Sequence, residues 1–152
     1  MEILIRNASI NDGKAISALV RQLGYAGEAD VIANRLSQML QHPDHTVYLA
    51  SRENQVIGWV HVFKTLRLES GLSTEIGGLV VDAQHRNQGI GTMLVRSAIR
   101  WSIEQNITRI RVRCNSTRME AHRFYRQLEF REIKTQLVLD YRIDSQESRL
   151  NQ

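Results

Sequence analysis

The run Arg86-Asn87-Gln88-Gly89-Ile90-Gly91-Thr92 is the part of this 152-residue chain whose residue types and spacing most directly imply chemistry. It follows a strand-like segment, Thr74–Asp82, and leads straight into a helix-like one, so its glycines stand at a helix start. The first turn of a helix leaves several backbone N–H groups without partners and carries partial positive charge. Glycines at 89 and 91 remove the Cβ atoms that would hold an anion away from those amides. Arg86 adds a formal charge and Thr92 a hydroxyl. The pattern reads as a cradle for a phosphate or pyrophosphate.

Two nucleotide readings fail on spacing. A P-loop ends in Gly-Lys-Ser/Thr, which is missing here. A dinucleotide fingerprint needs a glycine or alanine where Leu94 stands, and belongs on the first strand of a parallel sheet. Composition narrows the rest. The net charge is +4 and almost all of the positive charge is arginine, which suits a polyanionic ligand. Acidic residues are interspersed and no basic run is interleaved with aromatics, so a mixed, solvated surface is a better reading than nucleic-acid binding. No apolar run approaches the ~20 residues that span a bilayer. The N-terminus lacks a signal-peptide design and the single cysteine, Cys114, cannot staple the fold. The expectation is a cytoplasmic protein with no membrane partner.

The elements that must position the cradle follow from periodicity. Glu2–Ser9 alternates as a strand. Asn11 and Asp12 can cap a helix with Ile16, Leu19, Val20 and Leu23 on one face, ended by Gly24. A second helix presents Ile32, Leu36, Met39 and Leu40 and stops before Pro43. Thr46–Ser51 and Val56–Lys64 form a hairpin around Glu53-Asn54, and Gly77-Gly78 mark a bulge in the third strand-like run. Gly89 to about Gln105 is helical, with Ile90, Met93, Leu94, Ser97, Ala98 and Trp101 on one face. Ile110, Val112 and Cys114 alternate with Arg109, Arg111 and Arg113 as a strand. A capping box, Thr117 to Glu120, opens a helix carrying Ala121, Phe124, Tyr125 and Leu128. A last strand covers roughly Phe130–Tyr141, and the tail after Ile143 is polar and frayed. The architecture expected is a single α/β (α+β) domain over residues 1–143. Its mixed sheet is mostly antiparallel, with one parallel, splayed strand pair, and is flanked by helices.

This order, with Arg86-x-x-Gly89-x-Gly91 between that strand and that helix and with Asn115 and Phe124-Tyr125 downstream, resembles the GNAT superfamily of N-acetyltransferases. The likeness runs from Ile3 to about Tyr141. It implies that Arg86, Asn87, Gln88, Gly89, Ile90, Gly91 and Thr92 hold the pyrophosphate of acetyl-CoA. It also implies that the backbone of Leu79, Val80 and Val81 pairs with the pantetheine arm, and that Asn115 faces the cofactor. Three positions depart from the family pattern: Ala83 where proline is frequent, Asn87 where glycine is frequent, and Glu129 where a glycine usually ends the helix. Asparagine tolerates positive φ, so the second change is mild. The third costs up to ~1 kcal/mol if the backbone there is left-handed.

Acetyl transfer to an amine needs a base, a polarised thioester carbonyl and a proton for the departing thiolate. Glu75 stands at the separation from Gly89 at which histone-type members of the family carry a catalytic glutamate, and is the candidate base; an ordinary exposed strand glutamate explains it equally well. Tyr125 is the candidate acid, with a core aromatic as its alternative, and a backbone N–H near Leu79 is the candidate oxyanion donor. Cys114 fits a packed core thiol. His42, Asp44 and His45 lack a partner cluster, so no metal is assigned. The arginines at 109, 111 and 113 read most simply as a solvated strand face, with contact to a second copy, as in a homodimer, as the alternative. The acceptor is a small-molecule or peptide amine; Tyr25, Glu28, Asp30 and Glu69 lie in loops that would suit a cationic one. A CoA-binding regulatory module without turnover is the competing functional class.

Overall fold

The computed structural model describes residues 2–144, and the expected frayed tail beyond them lies outside the described residues. Two compact units divide the chain, Met1–Arg113 and Cys114–Gln152, and each is treated by itself.

The first unit is a five-stranded sheet in the order β1-β2-β3-β4-β5 with three helices. The strands are β1 (Leu4–Asn7), β2 (His45–Arg52), β3 (Gln55–Arg67), β4 (Gly71–Val81) and β5 (Ile110–Val112). The helices are α1 (Gly13–Gln22), α2 (Ala29–Leu40) and α3 (Ile90–Glu104). Strands β1 to β4 pair antiparallel and β4 pairs parallel with β5. The expected mixed sheet with one parallel pair therefore forms. Glu53 and Asn54, both at positive φ, make the tight turn that matches strand twist in the β2–β3 hairpin.

Period-two alternation sends the sheet's residues to two cores. Val47 and Leu49 pack with Ile16, Ile32, Leu36 and Trp59 under α1 and α2. On the opposite face Val60, Val62 and Thr74 are buried beneath α3, whose inward stripe is Ile90, Leu94, Val95, Ala98 and Trp101. The buried Thr74 and Ser102 hydroxyls satisfy each other at 2.7 Å. Asp12 does not cap α1 with its side chain as expected; its carboxylate takes a two-pronged pair from Arg6 at 2.8 and 2.9 Å and the Ser9 amide at 2.7 Å.

The second unit holds α4 (Met119–Gln127). Its entry corrects the expected Thr117–Glu120 capping box: no side chain caps α4, and the turn is made by Asn115. Asn115 Oδ1 accepts from the Thr117 amide at 3.0 Å and hydroxyl at 2.8 Å, while its carbonyl accepts from the Arg118 amide. Asparagine competes well for such a local turn. A second correction concerns Phe130–Tyr141. No strand forms there, and the segment runs exposed from Arg131 onward. Alternation marks which residues could share a strand face, but a strand forms only with a hydrogen-bonded partner.

Candidate active site

Strand β4 supplies one side of the site. The β3–β4 register shifts between His61 and Val62, so that His61 pairs with Gly78 and Val62 with Ile76, leaving Gly77 as the extra residue of a bulge. Both glycines are required by rings lying over them. A Cβ at Gly77 would come within 2.6 Å of His61 Nδ1, and one at Gly78 within 2.8 Å of Trp59. The parallel partner β5 accompanies β4 only from Thr74 to Ile76. Beyond that point β4 continues to Val81 with no strand on that side among the described residues. The Asp82 amide donates to Ile57 O on β3 at 2.8 Å. By the two-residue period, Val80 turns its amide to β3, and Leu79 and Val81 turn theirs toward the open side.

The cradle follows after a short 3-10 turn at Ala83–His85. Arg86 is extended, Asn87 has φ +63 and Gly89 has φ +81, so the asparagine occupies the left-handed position that its side chain tolerates. Gly89 is the N-cap of α3, no side chain caps that end, and a Cβ built on Gly89 would meet nothing within 4 Å. No side chain therefore occupies the space at this end of the helix beside Gly89. Ile90, 1% exposed, anchors the turn in the core.

Neighbouring side chains brace this loop. Gln22 at the end of α1 donates to Asp82 Oδ1 at 2.8 Å and accepts from the Ala83 amide at 2.9 Å. His85 Nδ1 lies 2.6 Å from Asp82 Oδ2, so His85 is engaged with Asp82. The Gln22 and His85 contacts hold the Asp82 carboxyl below its ordinary value. Arg52 donates to Gln88 Oε1 at 3.0 Å.

Glu75 lies on the opposite sheet face from Thr74 and Ile76. Its side chain is 12% exposed and ion-paired, with Arg113 Nε at 3.3 Å and Arg67 Nη2 at 3.9 Å. The ordinary exposed glutamate is therefore excluded. The arginine stripe is likewise not a plain solvated face, because Arg113 serves Glu75 and Arg111 Nε is buried without a hydrogen-bond partner. Next to Glu75 in register is Phe63, which stacks with His45 and His61. His45 Nδ1 and His61 Nε2 are 2.9 Å apart. Burial, and then the charge of His45, pull His61 down to about 4. Sequence reasoning missed Arg67, Arg113 and the histidine pair, since only strand register brings 45, 61, 63 and 75 together.

In the second unit Tyr125 is buried, with ring contacts to Phe124 and Phe130. Burial, and then the neighbouring Cys114, push its phenol well above the ordinary range, so the hydroxyl keeps its proton. Cys114 is a free, half-buried thiol that burial also pushes up. Asn115 is exposed and its side-chain oxygen is committed to Thr117.

Residues 17–130 match the model of the acetyltransferase (GNAT) family. An N-acetyltransferase of Chlorobaculum tepidum, itself uncharacterised, is 29% identical over 131 residues, which cover 86% of this chain and 76% of that one. Two solved structures share the fold. An aminoglycoside 6'-N-acetyltransferase from Acinetobacter haemolyticus has a TM-score of 0.81 at 22% identity, covering 93% of this chain and 99% of that one. AAC(6')-Iy in complex with the bisubstrate analog CoA-S-monomethyl-acetylneamine has a TM-score of 0.85 at 16% identity, covering 94% and 100%. The chain belongs to the GNAT acetyltransferase family and is an acetyl-CoA-dependent acyltransferase.

Proposed function

We infer that this GNAT acetyltransferase moves the acetyl group of acetyl-CoA to a primary amine, by direct attack while both substrates are bound. The observation that carries the reading is the α3 N-terminus. Its uncapped amides, at a left-handed Asn87 and Gly89, open immediately after a strand whose outer edge is unpaired from Gly77 to Val81. Arg86, Asn87, Gln88, Gly89, Ile90, Gly91 and Thr92 hold the pyrophosphate through backbone amides and the Arg86 charge. Leu79, Val80 and Val81 meet the pantetheine arm, where an outward amide at Leu79 is placed to donate to the thioester oxygen as negative charge grows on it. Asn115 contributes on the cofactor side.

Glu75 is the base, acting on the amine directly or through water. Its two guanidinium partners fix its orientation and would be exchanged for the cationic acceptor. Tyr125 is the acid for the thiolate, a role that fits a phenol held protonated by burial. The exposed Tyr25, Glu28, Asp30 and Glu69 favour a cationic acceptor. Polyamines and aminoglycosides meet that requirement, and the second class is named for two of the structural relatives.

Screening amines for acetyl-CoA-dependent thiol release, with mass detection of the product, tests this. Turnover of a cationic amine is expected, with kcat for Glu75→Gln and Tyr125→Phe lowered by about 10²–10⁴ and the KM for acetyl-CoA little changed. Binding of acetyl-CoA with no acceptor turned over would replace the enzyme reading with a regulatory one.

A further inference from the structure

Three guanidinium groups gather around one carboxylate on a single face of the sheet. Glu75 is flanked in register by Phe63 on β3 and by Arg111 on β5. Arg67 ends β3 four residues from Phe63, on the same face by the two-residue period, and Arg113 follows two residues after Arg111. Both reach Glu75. Glu75 is the one carboxylate among these four charged side chains, so they hold a surplus of positive charge.

The pairing within this set is loose. Arg113 Nε and Arg67 Nη2 approach the same oxygen, Oε1, at 3.3 and 3.9 Å. A charge-assisted hydrogen bond of this type closes to about 2.7–2.9 Å. The Arg6–Asp12 pair shows what this chain builds for a structural contact, with two nitrogens on two oxygens at 2.8 and 2.9 Å. Glu75 receives no such fork, and Arg111 Nε beside it is buried with no hydrogen-bond partner among the described residues. A buried donor in that state is costly, and a guanidinium fork is shaped for a carboxylate.

Take Glu75 as the base of the acetyl transfer, the reading on which this inference rests. An ammonium that reaches Glu75 draws it away from Arg67 and Arg113, and adds a positive charge beside three guanidinium groups. A plain cationic amine leaves all of that charge unmatched. We propose that the acceptor is an amine with a carboxylate a few bonds away, an amino acid by chemical class. Its carboxylate takes the forks of Arg67, Arg111 and Arg113 as its ammonium takes Glu75. The two groups sit close together on the acceptor because the guanidinium nitrogens stand 3.3 and 3.9 Å from the oxygen that the ammonium must reach. Polyamines and aminoglycosides carry ammonium groups without the carboxylate.

Thiol release from acetyl-CoA, measured with the unmodified protein on matched acceptors, tests the proposal. Each amino acid is compared with its own carboxamide, with spermidine and phosphoethanolamine run beside them. The free carboxylate is expected to give a kcat/KM about 10–100-fold higher, although the amine of the carboxamide loses its proton more readily. Arg111→Gln should collapse that ratio by raising KM for the carboxylate member. Arg111→Lys, which keeps the charge without the fork, should restore part of it. If Arg111→Gln fails to fold, Arg67→Gln at the end of β3 takes its place. Carboxamides turned over as well as the acids overturn the proposal, and so does a preference for spermidine or phosphoethanolamine over every amino acid. A ratio unmoved by the arginine substitution does the same. Each of these results leaves the acetyltransferase reading standing, whereas acetyl-CoA binding with no acceptor turned over overturns both.

Discussion

Glu75 sits on a sheet face, its side chain 12% exposed and held by Arg67 and Arg113, so on the proposed reading of Glu75 as the base an incoming cationic amine would have to compete with both guanidinium groups. Next to it, the His45–His61 pair makes a testable statement about pH. His61 binds a proton near 6.5 when unfolded but only at about 4 when folded, because burial penalises the cation and His45 lies against it. Its contribution to stability is complete above the unfolded value and is lost as pH falls from there through about 4. Burial, and then the charge of His42, lower His45 as well, against Asp44, which opposes them. Urea unfolding on either side of this window should show His61→Phe losing less stability on acidification than the unmodified chain. Equal slopes would remove the histidine from the account. Glu129 is simpler. Its φ of +71 places a Cβ where a helix-ending glycine normally sits, so Glu129→Gly should raise the urea midpoint by an amount equivalent to up to ~1 kcal/mol, with an unchanged m value.

Strand β4 is shaped by two glycines for two rings, and the bulge at Gly77 sits where β5 stops accompanying the strand. Gly77→Ala forces either the His61 ring or the backbone to move. It should cost about 1–3 kcal/mol in thermal or urea unfolding and perturb the His61 titration seen by NMR. A neutral substitution would mean that the ring is free to swing away. These elements were legible because their signals are local: the Gly77-Gly78 pair, the Glu53-Asn54 turn and the α3 stripe each sit within one element. The Phe130–Tyr141 strand was misread for the opposite reason. Its alternation is real, but a strand is made by hydrogen bonds to a partner as well as by period, and no strand is formed from Phe130 to Tyr141.

On the scale of the whole molecule, ligand binding couples to stability. If the α3 start holds acetyl-CoA as proposed, Tm should rise with acetyl-CoA concentration, and a Tm unchanged at saturating acetyl-CoA in calorimetry would count against that cradle. The sequence by itself determined the turn from Arg86 to Thr92 that starts α3, because helix-start chemistry needs only contiguous residues; the structure gives it left-handed positions at Asn87 and Gly89. It likewise determined the order of elements through α4, because hydrophobic period is a local quantity. Tertiary structure alone decided the rest. Register set Glu75 against Arg67 and Arg113, laid His61 over Gly77, and ended the sheet at a three-residue β5. These are pairings between residues distant in the chain, and a single sequence carries no local mark of which distant residue will meet which.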